Sequence, residues 1–228
     1  MKKIIIIYLL FLVTFGLSAQ EKKDEFWSGL SFSQELTKKM EYTVKSEYRG
    51  LGFEDQLAKF LEFGTAYKFN KFLGFKAGTR FSDVFDADDK WRIHTDVILK
   101  WSKKKWPLKV RFRNRFQYTF LSANPDDFSV YRSKLKLSWK LAKRFYFNSG
   151  FEYFYKFGDK NKWDTERFFI TSNYTWKKGI GLSLGYIVEQ DLNKKNVENK
   201  RALVVGLSYQ IKRKSKSKSK SKSRSKKG

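Results

Sequence analysis

Alternation with a period of two runs through almost the whole chain, and it restricts the fold more than any other feature. In residues 144–157 one parity reads Phe145, Phe147, Ser149, Phe151, Tyr153, Tyr155 and Phe157. The other reads Arg144, Tyr146, Asn148, Gly150, Glu152, Phe154 and Lys156. Successive side chains of a strand point to opposite faces, so the segment predicts a ribbon with one greasy and one mostly polar side. Residues 107–120 repeat the pattern, with Leu108, Val110, Phe112, Phe116, Tyr118 and Phe120 opposite Lys109, Arg111, Arg113, Arg115, Gln117 and Thr119. Residues 130–141 set Tyr131, Leu135, Leu137, Trp139 and Leu141 against Arg132, Lys134, Lys136, Ser138 and Lys140.

Eleven such segments are legible, near 26–37, 40–50, 57–69, 72–85, 91–103, 107–120, 130–141, 144–157, 163–176, 179–191 and 200–211. Helical periodicity is absent. Each run matches the length, about ten residues, that a tilted strand needs to cross a bilayer, whereas strands of soluble sheets average about 5–6. With 23 Phe, 12 Tyr and 7 Trp, a thin soluble sandwich has no core large enough for these rings. The expectation is an all-β fold: a closed, antiparallel transmembrane β-barrel of ten to twelve strands. Closure follows because hydrocarbon leaves no partner for an unpaired sheet edge. Trp91, Trp101, Trp106, Trp139, Trp163 and Trp176 fall near segment ends, where aromatic girdles form at membrane interfaces.

The termini predict export and a separate tail. Lys2 and Lys3 precede the apolar run 4–15, and Gly16, Ser18 and Ala19 precede Gln20. That is the pattern of a signal peptide cleaved after residue 19. Residues 20–211 form the expected barrel, and residues 212–228 a disordered Lys/Ser-rich tail with ten cations and no apolar side chain. The net charge of +26 is therefore partly the tail's, although residues 20–211 are basic by themselves. Such a tail suits a lipid or periplasmic polyanion, and export argues against nucleic acid. The expected location is the outer membrane, with its lipid and the barrel insertion machinery as partners.

Counting strands raises a parity problem. Short turns at 38–40, 70–71, 142–143 and 177–179 alternate with longer connections at 51–57, 86–90, 121–129, 158–162 and 192–199. Bacterial barrels place short turns in the periplasm and have even strand numbers. Eleven strands would start the first one outside. Residues 26–37 lying in the lumen or along the rim, an early segment being split, or a reversed orientation would each repair the count.

The segments FWSGLSFSQELTKKMEYTVKSEYR, FYFNSGFEYFY, ITSNYTWKKGIGLSLGYIVEQDLN and ALVVGLSYQIK resemble an uncharacterised outer-membrane barrel family of Bacteroidetes-type bacteria, domain-of-unknown-function 2490. The resemblance spans residues 24–211 and implies an outer-membrane protein with no assigned activity and no catalytic residues to carry over. The chain departs from that family in its basic tail, because such proteins stop at the last aromatic strand.

Chemical motifs are sparse. The chain has no Cys and one His, which excludes disulfides, thiolate metal sites and a multi-His centre. His94 shares a face with Asp96, and an enzyme acting on lipid or peptide would have to use it as base. The bland reading is a satisfied lumenal histidine. Asp86, Asp88 and Asp89 lack the turn Gly and terminal Glu of a calcium loop. No catalytic residue, metal site or cofactor is expected. The specific local feature is a basic wall, Arg111, Arg113 and Arg115 beside Arg132, Lys134 and Lys136, with Asp96 and Glu152 too few to neutralise it. Walls of this kind bias a pore toward anions, and arginine–carboxylate pairing would instead fill the lumen. The functional expectation is thus a non-enzymatic barrel, structural or anion-channelling. A soluble exported polyanion-binding β-protein is a further alternative.

Overall fold

The computed structural model describes residues 24–51, 55–103, 106–121, 128–158, 162–176, 179–193 and 199–213. The expected signal peptide, most of the tail and the loop 122–127 lie outside them. The described residues form β1 (Glu25–Glu35), β2 (Met40–Leu51), β3 (Asp55–Lys68), β4 (Leu73–Val84), β5 (Lys90–Ser102), β6 (Leu108–Leu121), β7 (Phe128–Ala142), β8 (Phe145–Phe157), β9 (Lys162–Thr175), β10 (Ile180–Asp191) and β11 (Asn199–Ile211). They close into one barrel in which each strand pairs with its neighbours in sequence and β1 meets β11.

The parity problem is resolved at that seam. Ten of the eleven strand pairs are antiparallel, but β1 runs parallel to β11, with Glu25 opposite Ala202 and Gln34 opposite Ile211. An odd number of alternating strands leaves first and last pointing the same way, so closure must be parallel. This corrects the all-antiparallel expectation at one pair. The first segment is neither lumenal nor split: β1 is a wall strand, with Trp27 opposite Arg49 on β2. On the outer face Phe32 bridges the seam, its ring 5.8 Å from Tyr42 and 6.1 Å from Tyr209.

Local signals set the turns. The Thr37 hydroxyl accepts from the Lys39 and Met40 amides, and the Asn70 carboxamide accepts from those of Phe72 and Leu73, the Asx and Ser/Thr turn chemistry that competes with strand pairing. The connection expected at 51–57 contracts to 52–54, because β2 and β3 pair out to Leu51 and Asp55. Asp86 takes a left-handed conformation, φ 55°, in the 85–89 connection, which Asp tolerates better than most residues.

The alternation divides the wall into two chemically opposite faces. Outward-facing Leu30, Phe63, Phe81, Trp91, Phe116, Trp163, Phe168 and Leu207 are all exposed. Inward-facing Glu62, His94, Asp96, Arg115, Gln117, Arg132 and Glu152 are buried. Trp91 and Trp163 lie at the loop end of the wall, and Trp101, Trp106 and Trp176 at the turn end, where Trp101 and Trp106 stack edge to face. The protein is polar at its centre and apolar on its surface, the reverse of an ordinary soluble domain.

Candidate functional site

The lumen is organised around three buried carboxylates, each placed by strand parity. Glu152 on β8 is fully shielded, and its oxygens accept from Arg113 (2.6 Å), Arg132 (2.8 Å) and Lys134 (3.3 Å), with Arg167 at 3.9 Å. Register explains the gathering. Arg113, Lys134, Glu152 and Arg167 are successive cross-strand partners on β6, β7, β8 and β9. Arg167 also pairs with Glu189 on β10.

Glu62 forms a second centre on β3, bonded to Lys76 at 2.8 Å and Arg80 at 2.7 Å from β4. Asp96 takes both Nε (2.6 Å) and Nη2 (3.0 Å) of Arg115 in a fork, the strongest geometry for such a pair. Near the loop end Arg49 bonds Glu47 and lies 3.6 Å from the Trp27 ring. Arg132 covers Phe154 at 4.4 Å, and Lys134 covers Phe169 at 4.0 Å. Aromatic faces so placed attract cations within about 6 Å. Phe154 stands on the polar parity of its segment, and inward-pointing Trp27, Phe60 and Phe169 are the residues that alternation alone did not mark. Their signal in the sequence is an aromatic on the charged parity.

All six residues of the expected basic wall face the lumen, but they do not act as one surface. Arg113, Arg115, Arg132 and Lys134 are committed to Glu152 and Asp96. Asp96 and Glu152 were expected to be too few to neutralise the wall; they bond four of its cations without matching their charge, because a carboxylate offers about four acceptor sites. Arg111 and Lys136 stand apart from those centres, directly opposite one another on β6 and β7.

His94 is buried beside Glu62, its Nε2 4.0 Å from the nearest carboxylate oxygen, and neither ring nitrogen has a hydrogen-bond partner. Gly78 lies opposite it, and a Cβ there would come within 2.8 Å of the imidazole. The glycine thus gives the ring its room. Asp96 does not orient His94, since Arg115 occupies it. Among the described residues, no group of three His, Asp or Glu gathers as a metal site, Asp86, Asp88 and Asp89 included.

A family model described as a protein of unknown function, DUF2490, matches residues 24–201, most of the chain and nearly all of the barrel. No curated protein matches the sequence. The chain belongs to the DUF2490 family.

Proposed function

We propose that this chain is a non-enzymatic β-barrel of the bacterial outer membrane, a structural component whose lumen is closed by its own ion pairs. The observation that carries the reading is the inversion of the two faces. Glu152 is 0% exposed, while Leu30 and Trp91 on the outer wall are 62% and 59% exposed. An apolar wall of that extent far exceeds the patches soluble monomers tolerate. Lipid is the solvent that matches it, and a closed wall is what lipid demands of a sheet. The partners this implies are outer-membrane lipid and the insertion machinery that delivers such strands.

Closure of the lumen favours the structural role over the channel. An open aqueous pore would leave its lining charges wet, yet Glu62, Asp96, Arg115 and Glu152 are each no more than 4% exposed. Four of the six wall cations spend their charge on neighbouring carboxylates rather than on a passing ion. Planar-bilayer recording tests this directly. The closed barrel gives no unitary current, whereas stepwise anion-selective conductance would replace the structural reading with the channel. A detergent gel supplies the companion test: the folded barrel migrates faster unboiled than boiled, and identical migration would count against it.

A further inference from the structure

The turn end of the lumen carries cations that the three buried carboxylates do not bond. Lys100, Arg111 and Lys136 are successive cross-strand partners on β5, β6 and β7, all on the inward parity. Lys100 and Arg111 are exposed and Lys136 is partly exposed. Among the described residues, no ion pair involves any of the three. Lys68 adds a fourth positive charge acting on Lys100, while Asp96 acts on Arg111 and Glu41 acts on both Arg111 and Lys100. Glu41 in turn accepts from Gln210 at 3.3 Å.

Like charges directly opposite on neighbouring strands oppose folding. Three in a row without an ion pair, beside cations that are bonded to carboxylates, are a local conflict of the kind that proteins keep at functional sites. The next partner after Lys136 is Gly150, over which the Phe169 ring packs.

The geometry points to an anion-binding vestibule at the turn end of the lumen, in which Lys100, Arg111 and Lys136 together hold a phosphate-bearing, multiply charged anion. Arg111 supplies the planar fork suited to phosphate oxygens, and the two lysines supply point charges on either side. A free phosphate compound and a lipid phosphate share this chemistry. The site goes beyond the membrane reading and does not require it, since it depends only on which side chains face inward.

Calorimetric titration of the full-length protein in detergent tests it, with inorganic pyrophosphate and short-chain phosphatidate as separate probes. Wild type binds at least one of them saturably. The triple variant Lys100→Gln, Arg111→Gln, Lys136→Gln weakens that binding by about tenfold or more, as loss of charge-assisted contacts requires. Arg111→Gln alone gives a smaller loss in the same direction, should the triple variant fold poorly. Without anion the folded variants melt higher than wild type, because the repulsion is gone. Binding of pyrophosphate assigns a free anion, and binding of phosphatidate alone assigns a lipid headgroup. Equal binding by wild type and variants would put the anion on the basic tail and overturn the proposal, as would binding of neither probe.

Discussion

Arg113 and Arg111 are two residues apart on one face of β6, and their surroundings could hardly differ more. Arg113 bonds the fully shielded Glu152 at 2.6 Å, within a centre that draws cations from three strands. Arg111 lies between Lys100 and Lys136, exposed to the lumen. The strand geometry is the same for both. What differs is whether the register brings an acid alongside. A step of two residues along a strand therefore separates a structural charge from an available one.

The largest effect expected from breaking this contrast is at Glu152. Glu152→Gln leaves Arg113, Arg132, Lys134 and Arg167 crowded around a neutral amide. Removing one side of a buried ionic cluster costs about 3–5 kcal/mol. Urea unfolding in lipid vesicles should show that loss, and an unchanged midpoint would mean that the centre does not hold the lumen together. A charge moved to the other face comes next. Phe63 lies mid-strand on the outer wall, and Phe63→Arg should cost about 2–4 kcal/mol in bilayers if lipid covers that position. A near-neutral result would mean that water covers it. The smallest effect has the opposite sign. Arg111→Gln removes two unfavourable cross-strand pairings and should stabilise the barrel by about 0.2–1 kcal/mol per pairing relieved. A loss of stability at Arg111 would erase its distinction from Arg113.

How much of this was legible in the sequence follows from what alternation encodes. Period two fixes which side chains face inward, so the eleven strands and the lumenal position of Arg111 through Lys136 are readable from residue types. It says nothing about how the first and last strands meet, and the parallel seam between β1 and β11 came only from pairing. Nor does it say which acid serves which base. Glu152 reaches Arg113 across two strands, and one carboxylate bonds several cations without matching their charge. The contraction of 51–57 to 52–54 has the same origin, because pairing extended strands beyond their alternating cores. His94 and Gly78 needed the register too, as nothing in either segment shows that the glycine makes room for the ring.

The central claim is that hydrocarbon covers the outward rings. Tryptophan fluorescence in vesicles of bromine-labelled phospholipid measures this contact, since Trp91, Trp101, Trp106, Trp163 and Trp176 are exposed on the barrel and Trp27 is buried inside it. The account predicts strong quenching of the emission relative to unlabelled vesicles, with a residual unquenched fraction from Trp27. Emission of the folded protein that is indifferent to the lipid label would contradict it.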